Sequence, residues 1–155
     1  MKIGFLAIVA TVALLGAGQI AAKTKPACSL LRVSDVQAVF GSPVALHKGG
    51  TVSECIVRGG DRLPVVLLAN ASGVRGFTNL MRAQGPPFTR VRGLGTTAVT
   101  FDHVTDDPQG VQRGVIVRKS NFVVQLSTND VGMSPPGLPT LAELVKLARA
   151  AVARL

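Results

Sequence analysis

The chain contains no tryptophan and no tyrosine, and only two of its 155 residues are cysteines. Two cysteines cannot build a disulfide-dense scaffold, so the small secreted folds that depend on several bridges are excluded. Nucleic-acid bases commonly stack on aromatic side chains, which are scarce here at 4% of the chain. Nucleic acid is therefore not an expected partner.

Acidic residues are also scarce. The chain has 8 Asp and Glu against 17 Lys and Arg, a formal net charge of +9. With 47% hydrophobic and 16% charged residues it does not have the composition of a disordered chain. Its length excludes two domains of ordinary size. We therefore expect one basic, folded domain.

No apolar run reaches the roughly 20 residues that a membrane-spanning helix needs. The N-terminus instead carries Met1-Lys2, an apolar run over 3–15, and small residues up to Ala22. This order is typical of a secretory signal peptide, with cleavage near Ala22 or, as the other choice, Gly18. We predict a signal peptide over 1–22, one domain over 23–155, and a periplasmic or secreted location. The alternative is a segment retained as a membrane anchor.

Cys28 and Cys55 both lie in the predicted mature chain. Disulfides form and persist in the oxidising compartments to which export leads, and two cysteines allow one intramolecular bridge. In the chain-entropy model, closing a loop of about 28 residues stabilises the fold by about 3.5 kcal/mol. A metal site, with His47 between the cysteines, and a reactive thiol are the alternatives. We predict a Cys28–Cys55 disulfide.

Helices are predicted where capping residues precede apolar residues at helical spacing. Ser34 and Gln37 form a capping-box pattern before a short helix over 34–40. Ser72 precedes a second helix, and Thr140-Leu141-Ala142-Glu143 opens a third helix with a clear apolar stripe.

The predicted strands are bounded by Gly, Pro, Asn and Asp turns. They cover residues 51–58, 63–69, 111–118 and 122–127, and the segments 88–91 and 98–101 around Gly93-Leu94-Gly95 add one or two more. Short turns join most of the neighbouring strands into hairpins. We therefore predict an α+β fold with a mostly antiparallel sheet of about five strands, helices packed on one face, one disulfide, and a loop over 128–139.

Several short motifs occur in a familiar order. Cys28-Ser29-Leu30-Leu31 precedes the first helix and Pro43-Val44, Cys55 follows, and Val91-Arg92-Gly93-Leu94-Gly95 comes later. This order resembles a family of small exported bacterial domains, many of them actinobacterial cell-wall lipoproteins of unknown function. The resemblance implies export, an α+β fold and a disulfide, but no activity and hence no catalytic residue. The chain departs from the family in lacking a lipidation cysteine and in having Thr96 where relatives often have an acidic residue.

Catalytic and metal-binding residues are not strongly indicated. The two histidines are His47 and His103, and Thr100, Asp102 and His103 form only part of a Ser–His–Asp type of arrangement. The acidic cluster over 102–107 does not have calcium-loop spacing, and residues 106–110 have the composition of a tight turn. The Gly-Leu-Gly turn lacks the third glycine and the following helix of a phosphate-binding loop. No cofactor, metal or catalytic residue is expected, and a non-enzymatic protein is favoured.

The remaining pattern in the sequence is a set of arginines near the predicted strands. Arg90, Arg92, Arg113 and Arg118 lie in or beside strands, and Arg90 and Arg92 share a face because they are two residues apart. We expect these four arginines to converge on one exposed anion-binding patch. The expected function is binding of an anionic envelope component or an acidic protein at the bacterial cell envelope, with membrane contact only through a retained signal segment. The alternatives are a periplasmic or secreted enzyme or enzyme inhibitor, and charge that serves only solubility.

Overall fold

The computed structural model describes residues 25–62, 64–106, 109–130 and 137–155. The predicted signal peptide over 1–22 and its cleavage site lie outside the described residues. The turn predicted near 106–110 and the loop predicted over 128–139 are described only in part.

Three α-helices, one short 3-10 helix and seven strands follow one another along the described residues. The helices are α1 (Val33–Phe40), α2 (Gly73–Gln84) and α3 (Leu141–Val152), and the 3-10 helix covers Ala27–Leu30. The strands are β1 (Val44–Lys48), β2 (Glu54–Gly59), β3 (Val65–Asn70), β4 (Phe88–Arg90), β5 (Thr97–Asp106), β6 (Gln109–Lys119) and β7 (Phe122–Asp130).

The strands form one antiparallel sheet with the order β1-β2-β3-β7-β6-β5-β4. The α+β class, the antiparallel sheet and the β2–β3 and β6–β7 hairpins are confirmed. The predicted number of about five strands is wrong, because the sheet has seven. The strand that the sequence did not reveal is β1, a five-residue edge strand that ends in the polar pair His47-Lys48 and so has little hydrophobic pattern.

The helices cover both faces of the sheet, so the prediction that they pack on one face is wrong. Successive side chains of a strand point to opposite faces. On β6, Val115 and Val117 belong to the core that α3 completes, whereas Ile116 belongs to a second core with Phe77 of α2. We call these the α3 face and the α2 face. Helical spacing in a sequence identifies an apolar stripe but not the face of the sheet that it meets.

The α3 face holds the larger core. Leu144 and Leu147 of α3 pack there with Val36 of α1, Leu30 of the 3-10 helix and Leu126 of β7, all fully buried. On the α2 face, Phe101 lies over Gly114 of the neighbouring strand, and a Cβ built at Gly114 would overlap the end of its ring. The missing side chain at Gly114 thus makes the space that Phe101 fills.

The predicted Cys28–Cys55 disulfide is confirmed. It joins the 3-10 helix to β2, with the two Cα atoms 5.0 Å apart. Cys55 is fully buried in the core of the α3 face, and Cys28 packs against that core. Because disulfides persist in oxidising compartments, the bridge indicates an extracytoplasmic location. Among the described residues, no helix has both the length and the apolarity to cross a membrane.

At two of the three predicted helix starts, the capping interactions differ from those predicted. The capping box of α3 is confirmed: the Thr140 hydroxyl accepts from the Glu143 amide, and the Glu143 carboxylate accepts from the Thr140 amide. The Ser34 capping box is wrong, because α1 begins one residue earlier and the Asp35 carboxylate accepts from the Arg32 amide at 2.7 Å. Ser72 precedes α2 as predicted, but its hydroxyl is hydrogen-bonded to Asn70 rather than to the helix.

Candidate functional site

Of the four arginines predicted to form one patch, three lie near one another and the fourth, Arg113, lies elsewhere. Arg90 ends β4 and pairs with Val99, while Arg118 lies near the end of β6 and pairs with Thr97 two residues along β5. Paired residues point to the same face, which places Arg90 and Arg118 together on the α2 face. Arg92 is exposed in the turn that follows β4. These three arginines are neighbours at one end of the sheet.

Arg113 does not join them. It stands five residues before Arg118 on β6, and an odd separation places two strand residues on opposite faces. On the α3 face its guanidinium binds the Asp102 carboxylate at 2.8 Å and donates to the Pro139 carbonyl oxygen at 3.2 Å. The prediction that all four arginines converge is therefore wrong for Arg113, whose charge is already balanced.

Two cations that the sequence did not assign to the patch approach the same turn from the α3 face. The Lys119 ammonium donates to the Val152 carbonyl oxygen at 2.9 Å, and the Arg149 guanidinium donates to the Gly93 carbonyl oxygen at 3.2 Å. Both lie by the C-terminus of α3, where the helix dipole favours positive charge. A lysine has three donors and an arginine five, so each keeps donors beyond the one bound to the backbone.

The turn between β4 and β5 lies between these two groups of cations. Gly93 and Gly95 have φ angles of 67° and 61°, which favour glycine. A Cβ on Gly95 would come within 2.6 Å of the Arg118 carbonyl oxygen, and that oxygen accepts from the Thr96 amide at 2.7 Å. The glycines therefore let the turn lie directly against β6.

Two open depressions share this turn. One of about 540 Å³ is lined by residues 93–96 together with Lys119, Ser120, Arg149 and the end of α3. The other, of about 290 Å³, is lined by residues 90–97. We call Arg90, Arg92, Arg118, Lys119 and Arg149 the turn cluster. Its cations reach both depressions, so a bound anion at either side of the turn would meet more than one of them.

The turn cluster belongs to a larger basic end of the molecule. In an antiparallel sheet alternate turns lie at the same end, which here brings together the turns after β1, β4 and β6. The start of α2 is at this end because the Gly73 amide donates to the Asn121 carbonyl oxygen at 2.8 Å. The start of α1 and the end of α3 are also here, since Arg154 binds Asp35 at 2.9 Å. We call this region the basic end.

Ten basic residues lie at the basic end, against two acidic ones. The basic ones are Lys25, Arg32, Lys48, Arg75, Arg90, Arg92, Arg118, Lys119, Arg149 and Arg154. The acidic ones are Asp35, which binds Arg154, and Glu54, whose carboxylate accepts from the Gly50 amide at 3.0 Å. Among the described residues, no carboxylate lies within 4.0 Å of a turn-cluster cation.

The opposite end of the sheet holds Asp61, Asp102 and Glu143, and the strands β5 and β7 end there at Asp106 and Asp130. Two of these carboxylates pair with arginines: Arg62 binds Glu143 at 3.0 Å, and Arg113 binds Asp102. Positive and negative charges are nearly matched there. The net charge of the described chain is therefore concentrated at the basic end.

The pKa of the Asp35 carboxyl departs clearly from its ordinary value. Its partial burial by itself raises the pKa. The hydrogen bond from the Arg32 amide and the nearby Arg154 guanidinium outweigh that effect and hold the pKa below its usual 3.8. The charged form of Asp35 thus stabilises the junction of α1 with the end of the chain.

The histidines do not form a catalytic arrangement. His47 is exposed on the edge strand β1. His103 lies on β5 with its ring centroid 5.7 Å from that of Phe101, and its Nδ1 atom is buried without a hydrogen-bond partner. Thr100 and Asp102 each stand an odd number of residues from His103, so both point to the other face. The partial constellation suggested by the sequence is not brought together.

A metal site is likewise not formed by the residues whose side chains are described. Asp102 and His103 point to opposite faces of β5, and within those residues no group of three His, Cys, Asp or Glu side chains converges. The side chain of Asp106 and the whole of Asp107 lie outside the described part.

No protein-family model, curated protein or solved structure matches the chain.

Proposed function

We propose that the protein is a non-enzymatic binding domain of the bacterial cell envelope that holds an anionic partner at its basic end. The observation that carries this proposal is the separation of charge along the sheet. The proposal includes export through a signal peptide over 1–22, a single domain over 23–155, and membership of the exported family that the motifs resemble. The extracytoplasmic location indicated by the disulfide supports the export step.

Charge of one sign gathered at one end acts differently from charge spread over a surface. A surface whose positive residues are not matched by carboxylates attracts anions over about a Debye length, roughly 8 Å at physiological salt. On β5 the first acidic residue is Asp102, five residues beyond Thr97 and thus about 17 Å from the turn cluster. The field of the turn cluster is therefore not cancelled by its own sheet.

The geometry of the turn cluster favours binding over a role in solubility alone. Lys119 and Arg149 are held by backbone carbonyl oxygens, so their side chains are already positioned before a ligand arrives. Preorganised donors lose less conformational entropy on binding than free surface side chains do. Charges that serve only solubility need no fixed position, and they would not be expected to gather at one end of the molecule.

The experiment compares two double variants of the exported protein. Arg90→Gln with Arg92→Gln removes two exposed charges from the basic end, and Arg58→Gln with Arg82→Gln removes two exposed charges nearer the opposite end. Binding to isolated envelope fractions is measured at low and high salt. At low salt the first variant should bind about tenfold more weakly than the wild type, since each charge contributes up to about 1 kcal/mol.

The control variant should bind like the wild type, and binding of the wild type should fall as salt rises. Equal loss in both double variants would show that only the total charge matters. Binding that does not respond to salt would exclude an anionic partner. Either result overturns the proposal, provided that circular dichroism shows both variants to be folded.

A further inference from the structure

We infer that the anionic partner is the surface of an anionic phospholipid bilayer, and that the protein lies on it with its basic end. This inference rests on the proposed function and names the partner class. Four large hydrophobic side chains are exposed in the part of the chain that the structure describes. Three of them, Val33, Val52 and Val74, lie at the basic end and are 50%, 62% and 63% exposed. The fourth, Val104, lies at the opposite end of β5.

The three valines come from three separate elements. Val33 is the first residue of α1, Val52 lies in the turn between β1 and β2, and Val74 lies in the first turn of α2. The depression that Val52 lines includes neither Val33 nor Val74, so the three valines do not share that pocket as a site for one small ligand or one peptide. Because all three elements begin or turn at the same end of the sheet, a broad and nearly flat partner could touch them together.

Each of these valines also has a basic neighbour. Arg32 and Arg75 adjoin two of them in sequence. Lys48 lines the same depression as Val52, together with Glu54, whose carboxylate accepts from the Gly50 amide. Surfaces that lie in the bilayer interface combine small apolar contacts with Lys and Arg that meet anionic headgroups. A soluble polyanion would bind the cations but would make no use of the valines. The pairing of apolar and basic side chains therefore favours a lipid surface.

The contact of Lys25 with the end of the domain agrees with this orientation. The Lys25 ammonium donates to the Arg154 carbonyl oxygen at 2.7 Å, beside the end of α3. The apolar run over 3–15 precedes Lys25 in the sequence, so the polypeptide leads from that run to the basic end. A retained anchor would hold this end toward the membrane, and a cleaved one would leave it free to bind there through charge and the valines.

The test is cosedimentation of the exported protein with vesicles. One set contains about 30% phosphatidylglycerol in phosphatidylcholine, and the other contains phosphatidylcholine alone. The wild type should bind the anionic set and not the neutral set. Each basic residue near an anionic surface contributes about 1 kcal/mol, so Arg75→Gln with Arg92→Gln should weaken binding about thirty-fold. Partial burial of two valines predicts a loss of about tenfold for Val52→Ser with Val74→Ser.

Val104→Ser is the control for the valine pair, since it changes a valine at the other end that is at least as exposed. It should bind the anionic vesicles like the wild type. If the charge variant loses binding while the valine pair does not, contact with the bilayer interface is refuted. If the wild type binds envelope fractions but neither vesicle set, the bilayer is the wrong partner and the proposed function stands with a wall polymer or an acidic protein. If it binds neither fractions nor vesicles, both proposals fail.

Discussion

Replacing Gly114 with alanine tests whether the packing of α2 against the sheet depends on one missing side chain. A Cβ at this position overlaps the Phe101 ring and lies 2.7 Å from the Leu126 carbonyl oxygen. Phe101 is 1% exposed, so neighbouring groups enclose its ring. The carbonyl belongs to the neighbouring strand and cannot rotate away without disturbing the ladder. Both β6 and the ring must therefore shift.

Overpacking a dense core costs about 1–3 kcal/mol. Because one of the two clashes is with backbone, we expect the upper part of that range, about 2–3 kcal/mol, and a fall in Tm of about 10 °C. The assay is urea and thermal unfolding followed by circular dichroism with the disulfide intact. Gly50→Ala is the control, since a Cβ at Gly50 meets only the Glu54 carboxylate at an ordinary 3.7 Å.

A double-mutant cycle with Phe101→Leu separates the two clashes. The smaller side chain removes the ring from above Gly114, so the combined variant should lose about 1 kcal/mol less than the sum of the single variants. The clash with the Leu126 carbonyl oxygen remains, and the cycle should not restore wild-type stability. A cost below about 0.5 kcal/mol for Gly114→Ala, or strictly additive effects, would refute the role assigned to Phe101 and Gly114.

Three further predictions concern stability. Replacing Cys28 and Cys55 together with serine should lower the free energy of unfolding by about 3.5 kcal/mol in urea titration, and a change below 1 kcal/mol would contradict the loop-closure argument. Asp35→Asn should cost about 1 kcal/mol at pH 7. Because the pKa of Asp35 is lowered in the folded state, the wild type is more stable than the variant above about pH 3.8 and loses this extra stability as pH falls through the folded-state pKa. The free energies of unfolding of the two proteins should therefore converge in acid. A constant difference down to pH 2 would contradict this. Thr140→Ala should cost about 1 kcal/mol by thermal unfolding, while Thr140→Ser, which keeps the capping hydroxyl, should not.

Features determined by neighbouring residues were predicted well from the sequence. The helix beginning at Thr140 and the hairpin around Ser120-Asn121 follow from residues within a few positions of each other. The Cys28–Cys55 bridge followed because the chain has one cysteine pair. The strand β1 was missed because it is short and ends in the polar pair His47-Lys48, which leaves little hydrophobic pattern. The face on which α2 packs depends on tertiary contacts such as that of Phe77 with Phe101, which no local pattern reports.

The prediction that Arg113 belongs to the arginine patch is wrong, and the sequence itself contains the information needed to see this. Arg113 and Arg118 are five residues apart on one strand, and that odd separation alone assigns them to opposite faces. Lys119 and Arg149 could not have been grouped in the same way. They meet only because α3 crosses the sheet with its C-terminus above the end of β6, and that direction is a property of the packed fold.

The separation of charge between the two ends of the molecule follows from the order of the turns along the chain. In an antiparallel sheet the chain reverses at alternate ends, so residues beside every second turn share an end of the molecule. Lys48, Arg75 and Arg118 stand beside turns of one set, and Asp61 and Asp102 lie toward turns of the other. The separation therefore does not depend on exact side-chain positions. It also predicts that exchanging one charge between the ends, for example Arg75→Glu with Asp61→Arg, would leave the net charge at +9 yet weaken binding to an anionic surface. Unchanged binding would show that total charge, rather than its placement, governs the interaction.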